Sequence, residues 1–311
     1  MSVLNVRTPE DVLAVVPQVL GFHPAESVVM LTFGGAVGFH ARVDHPDSAD
    51  GIDPCLAALI KPCRLHEVPR VLLVLYTADE PMARTVCQHA LINYPAAGIE
   101  VVEVLHAHDG TFASFLHGDG ERRPYDTTGH PLTAHCAVEH GNAPVGSRAD
   151  LARALQRVDH AVAADQVWRW VDDRRVGEDE VQRMADLVVI HALGKVPLDD
   201  DTLARLLADL QHGELRDAAW LGMTRESARD LTEFWSEVVR RSPTEFVTPA
   251  ALILGLAAWL AGQGALAWTA HDLATDDRYQ SLADIVGQLL DDAVPPDAWP
   301  EFQRHLRSGV E

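Results

Sequence analysis

Between Leu20 and Ser27 the chain has to end a helix and begin a strand, and the residues there leave little freedom in how it does so. Thr8-Pro9-Glu10-Asp11 starts the helix: Thr8 suits the cap and Pro9 the first helical position. Val12, Leu13, Val16, Val19 and Leu20 then recur on one helical face. Gly21 follows the last of them, where a left-handed C-terminal cap is expected, and Phe22 is expected to pack back into the core. Pro24 prevents the helix from resuming and biases His23 towards an extended conformation. Ser27 to Phe33 is a β-rich run expected to be buried on both faces. Gly21, Phe22, Pro24 and Ser27 are therefore assigned to a structural turn. His23 and Glu26 flank it, with structural and catalytic roles both open to them, and Ser27 has no base beside it in sequence.

The N-terminal half continues as an alternation. Gly34-Gly35 reads as a two-residue hairpin turn, with Val37 to Val43 returning as a second strand. Asp53-Pro54 starts a helix carrying Leu56, Leu59 and Ile60, which Pro62 shortens or bends. Val71 to Tyr76 is a buried strand. Asp79 caps a third helix with Val86, Ala90 and Leu91 on its inner face, and Ile99 to Leu105 is another strand. Asp109-Gly110 turns the chain into Thr111 to Leu116. Strands alternating with helices predict an α/β domain on a mixed, mostly parallel sheet.

From Leu151 onward the periodicity is helical and no strand pattern recurs. Met184 with Leu187 and Val188, Leu203 with Leu206 and Leu207, and Leu231 with Trp235 and Val238 all fit helical faces. The expected division is an α/β domain over 1–146 and an all-α helical domain over 147–311. Near 249–292 the small residues Gly255, Gly262, Ala267 and Ala274 resemble a tetratricopeptide helical hairpin, and an ordinary hairpin in a bundle fits them as well. All seven tryptophans lie in this half. At helical spacing they indicate core, and in a groove they would anchor a partner.

Charge and cysteine usage exclude some classes. A net charge of −21 repels nucleic acid and anionic membrane; the acids could imitate DNA phosphates, but they are spread over both halves and not gathered in one stripe, as a solvated surface would have them. The four cysteines include no Cys-x-x-Cys pair, which points to reduced, buried thiols. The start of the sequence lacks a basic region followed by an apolar core, and Ala250 to Ala261 is too short to span a bilayer. A cytoplasmic protein is expected.

No phosphate-binding glycine loop, nucleophile elbow or zinc-protease motif is present. Topology gives the candidate site instead. Helical crossovers would make the strands ending near Val43, Tyr76 and Leu105 mutually parallel, and open α/β sheets bind ligands at that edge. It receives Asp44, His45 and Asp47, then Thr77 and Asp79, then His106, His108 and Asp109. Eleven of the sixteen histidines precede residue 141. Imidazoles with carboxylates suit a divalent metal or proton exchange, and no other cofactor is implied. Equally, Asp79 suits a helix cap, Asp109 a turn, and the histidines solvated loops. His40 and Arg42 share a strand face with Asp44, as a polar pocket or an exposed face. Asp119, Arg122, Arg123, Asp126 and His130 form a polar loop able to cover a ligand or simply to connect.

Four segments carry a family resemblance. They are Val16-Pro17-Gln18-Val19-Leu20-Gly21-Phe22-His23-Pro24-Ala25-Glu26-Ser27-Val28-Val29, then Gly146-Ser147-Arg148-Ala149-Asp150-Leu151-Ala152, then Gly262-Gln263-Gly264-Ala265-Leu266-Ala267 with Pro295-Pro296-Asp297-Ala298-Trp299. Through them the chain resembles the actinobacterial and phage family called domain of unknown function 4192. The resemblance implies the two-domain layout and carries no reaction. Where many relatives have Cys-Cys-Pro this chain has Gly120-Glu121-Arg122-Arg123-Pro124, so no cysteine role transfers. Three functional expectations stand: a protein-interaction or regulatory module whose helical half binds a protein partner, a metal-assisted hydrolase or related enzyme using the strand-edge His/Asp cluster, and an acidic DNA-mimic inhibitor.

Overall fold

Thr8 caps the first helix, α1 (Pro9–Leu20), through a reciprocal box: its hydroxyl accepts from Asp11 N, and the Asp11 carboxylate accepts from Thr8 N. The computed structural model describes residues 7–35, 38–118, 120–133, 144–172 and 175–308, with side chains to 304. Val37, Asp119 and Cys136, each part of an expectation above, lie outside the described residues. The chain divides into two compact units, Met1–Arg148 with Asp291–Ala293, and Ala149–Leu290 with Val294–Glu311.

The first unit is a six-stranded sheet with helices on both faces. Its elements after α1 are β1 (Ser27–Phe33), β2 (His40–Asp44), α2 (Ile52–Leu65), β3 (Arg70–Tyr76), α3 (Glu80–Ala96), β4 (Glu100–His108), β5 (Thr111–Ser114) and β6 (Arg123–Pro124). The spatial order is β2-β1-β3-β4-β5-β6. Alternation along β1 and β3 divides the core. Val28, Met30, Val71, Leu73 and Leu75 face α2 and α3, while Val29, Leu31, Leu72, Val74 and Tyr76 face α1. On α3, Val86 and Ala90 are buried as the periodicity predicts, but Leu91 is exposed, one step of rotation off the packed face.

The sheet departs from the mostly parallel expectation. Among the described strands only β3 and β4 pair in parallel; β1 runs antiparallel to both β2 and β3, and β4–β5 and β5–β6 are antiparallel. The reason is that β1 inserts between β2 and β3. The crossover through α2 keeps those two parallel, but they are no longer neighbours. Their C-terminal ends still share an edge with that of β4.

Boundaries shift as well. Pairing of β1 with β2 ends at Leu31–His40, so Gly34-Gly35 belongs to a longer connection than a two-residue turn. Thr32 Oγ1 closes that connection by donating to Phe39 O at 2.8 Å. β4 runs on through His108, which places His106 inside the strand and not in a loop.

The second unit is mainly helical, around one large core that includes Trp220, Trp235, Trp259 and Trp299. Helices Val247–Leu260, Gly264–His271 and Gln280–Asp291 pack closely at Gly255. A Cβ there would lie 3.1 Å from Val286 Cγ1 and 3.5 Å from Ala267 O. Among the described residues no helix is long and apolar enough to cross a membrane.

Candidate functional site

The organising turn is also the floor of the strand edge. Gly21 has φ 79°, and its N–H donates to Pro17 O at 2.9 Å, closing α1. Phe22 is buried and forms a parallel bridge with Val145. Val145 N donates to Gly21 O and His23 N to Val145 O. Ser27 is fully buried, with its hydroxyl donating to Ala25 O at 2.7 Å and accepting from Arg42 Nε at 2.8 Å. Arg42 also pairs with Asp44 at 2.6 Å. His23 and His40 are exposed.

Glu26 binds this turn to β3. It sits at φ 41°, a conformation that costs a non-glycine residue energy and is held only where other contacts fix it. Its carboxylate accepts from Thr77 Oγ1 at 2.8 Å and Ala78 N at 3.4 Å, and its carbonyl accepts from His45 N at 2.9 Å. One residue thus joins the entrance of β1 to the exits of β2 and β3. Sequence reading placed Glu26 beside the turn without this role, because its partner Thr77 is 51 residues away.

Thr77 and His106 are both buried. His106 Nε2 donates to Thr77 O at 2.9 Å, and Nδ1 accepts from Arg122 Nη1 at 2.9 Å. Those partners assign the proton to Nε2 and the neutral ring. Burial, with the Arg122 charge, lowers the His106 pKa against the raising effect of the Thr77 carbonyl. Arg122 is held in turn by Thr111 Oγ1 at 2.9 Å and Thr111 O at 3.1 Å, and lies 3.8 Å from Glu80. Arg84 is the main cause lowering the Glu80 pKa. His106 is therefore a clamp between β3 and the segment carrying Arg122.

The other expected residues separate. Asp79 caps α3 by accepting from Met82 N at 2.9 Å. His108 is exposed, and its carbonyl accepts from Thr111 Oγ1. Asp109, at φ 47°, and Gly110, at φ 66°, make the turn into β5. Asp126 accepts from Thr128, and His130 lies 3.3 Å from Asp11. His45 Nδ1 donates to Pro46 O at 3.0 Å, leaving a buried Nε2 without a hydrogen-bond partner. Burial lowers its pKa, against raising effects of the Pro46 carbonyl, Glu26 and Asp79. The edge thus offers one imidazole lone pair beside carboxylates. Among the described residues no group of three or more His, Cys, Asp or Glu side chains is placed to hold a metal ion.

The helical unit presents a different surface. Helix Glu178–Val188 runs into a π-turn over Val189–Leu193, where Gly194 N donates to Val189 O at 3.1 Å. Val188 and Ala192 stay in the core, while Val189, Ile190, Leu193 and Val196 are 54%, 51%, 43% and 45% exposed. Four exposed aliphatics within eight residues form a patch that burial does not explain. Beside it a shallow depression is lined by residues that include Asp179, Arg183, Asp186, Ile190 and His191. Lys195 bends the chain at φ 54° and binds Asp230 at 2.6 Å and Glu233 at 2.8 Å. Of the tryptophans, Trp168 and Trp170 are exposed. Trp168 stacks edge-on against Phe246, and Arg205 lies over Trp170. The apolar run Leu187-Val188-Val189-Ile190 exceeds what one helical face needs and was the available sequence signal for this patch.

Among proteins of known family, the model described as "Domain of unknown function (DUF4192)" matches residues 9–297. No curated protein matches the chain, and no solved structure does.

Proposed function

The chain belongs to the DUF4192 family, and from that premise we propose that it is a protein-binding module whose helical domain carries the docking surface. The observation that supports this is the aliphatic patch Val189, Ile190, Leu193 and Val196, exposed on a π-turn. The turn closes the C-terminal end of its helix, where π-turns are ordinary, so the exposed aliphatics themselves support the reading. The α/β unit is the scaffold in this reading, since its conspicuous polar groups bind one another. The hydrolase reading is supported less well: both nitrogens of His106 are engaged, although His45 keeps an Nε2 without a hydrogen-bond partner. Asp79 also serves as a cap.

The test uses the full chain as bait in extract of its native host, beside an Ile190→Asp/Leu193→Asp variant. A partner held by the native chain and lost by the variant supports the reading once the purified pair shows the same difference. Partners retained equally by both would sink it. Substituting an apolar anchor at a docking surface weakens binding by about 2 kcal/mol or more.

A further inference from the structure

We infer that the occupant of the Val189–Val196 surface is a cationic amphipathic helix of a partner protein, an inference that rests on reading this surface as a docking site. The apolar component comes from Ile190 and Leu193 at a spacing of three, flanked by Val189 and Val196. A helix with aliphatic residues at spacings of three and four covers such a patch with one face.

The rim sets the sign of the partner. Asp179 and Asp186 line the adjoining depression. Asp230 and Glu233 lie on the other flank, joined to the patch through Lys195. Arg183 and Lys195, two cations beside the patch, are already paired, and His191 in the turn donates its Nδ1 proton to Val196 O. Arg183 Nη2 lies 2.8 Å from the buried Asp209 carboxylate, and Lys195 is shared between two acids. The rim therefore presents negative charge in excess. Lysines or arginines bordering the apolar face of an incoming helix would meet it, and acidic or neutral helices would gain no such contact.

The same argument disfavours a second copy of this chain. A two-fold contact would set the patch against itself and bring Asp179, Asp186, Asp230 and Glu233 towards their own copies, in a protein of net charge −21.

The experiment titrates the full chain with three fluorescent peptides, read by anisotropy at low and at high salt. One is an amphipathic leucine/lysine helix. The second has the same leucines with glutamate for lysine. The third is the leucine/lysine composition scrambled so that no apolar face forms. The inference expects the first to bind about tenfold or more tighter than either other, with binding weakened by salt. Ile190→Ser/Leu193→Ser should remove that advantage, and Asp186→Lys should reduce it while leaving circular dichroism and melting unchanged.

Equal binding of the ordered and scrambled basic peptides would mean non-specific attraction to an acidic protein and would overturn the inference. So would preference for the acidic helix, or no binding by the basic one. Self-association in sedimentation that disappears in Ile190→Ser/Leu193→Ser would assign the surface to a second copy and overturn it likewise. In each of these cases, a host partner lost by the Ile190/Leu193 variant would leave the docking reading standing, so the two ideas fail separately.

Discussion

Thr77, His106 and Arg122 at the strand edge form a continuous set of hydrogen bonds, whereas Val189, Ile190, Leu193 and Val196 in the helical unit leave about half of each side chain in water. The edge looks like a site in sequence because it gathers histidines and acids. In three dimensions most of those groups hold strands, caps and turns. The π-turn holds a single histidine, His191, whose Nδ1 donates to Val196 O at 2.8 Å, and it leaves apolar surface without an intramolecular role. Polar residues at a sheet edge are informative only after their partners are known. Exposed aliphatics in a cluster are informative because nothing in the fold repays their exposure.

Five measurements break or sharpen this contrast. Phe22→Ala should cost about 3–5 kcal/mol in urea unfolding, since a buried aromatic at the organising turn is removed. A loss below about 1 kcal/mol would show that the turn does not anchor the strand edge. Arg122→Ala should cost about 1–3 kcal/mol, because it leaves the buried His106 Nδ1 without a donor.

The His106 clamp also predicts a pH dependence. Its folded pKa is lowered from 6.5, so the unfolded chain binds the proton more readily. The contribution of the clamp is complete above 6.5 and is lost as pH falls below that value. His106→Gln should therefore flatten the decline in stability between about pH 7 and pH 5. His45, lowered in the same direction, leaves part of the slope in place. An unchanged slope would remove His106 from the lock.

Gly21→Val should cost about 1–2 kcal/mol, the penalty of a left-handed β-branched residue. No neighbour lies within 4 Å of the added Cβ, so a larger loss would point to contacts beyond the backbone. The smallest effect is expected at the patch: Ile190→Ser should change stability within about 0.5 kcal/mol. If it destabilises as much as Phe22→Ala, the patch is part of the core and the contrast between the two regions disappears.

The Thr8 cap, the Gly21 cap, the Asp79 cap and the Asp109-Gly110 turn were legible in the sequence because each is closed by partners within a few residues. The apolar runs of β1 and β3 were legible for a related reason: strands covered on both faces exclude polar residues whatever the topology. Strand order was decided only by the tertiary structure, since nothing local to β1 tells it to insert between β2 and β3. The fates of Glu26 and His106 were decided there too. Their partners, Thr77 and Arg122, lie 51 and 16 residues away, and whether a carboxylate or an imidazole is a lock or a reagent depends on which distant group reaches it first.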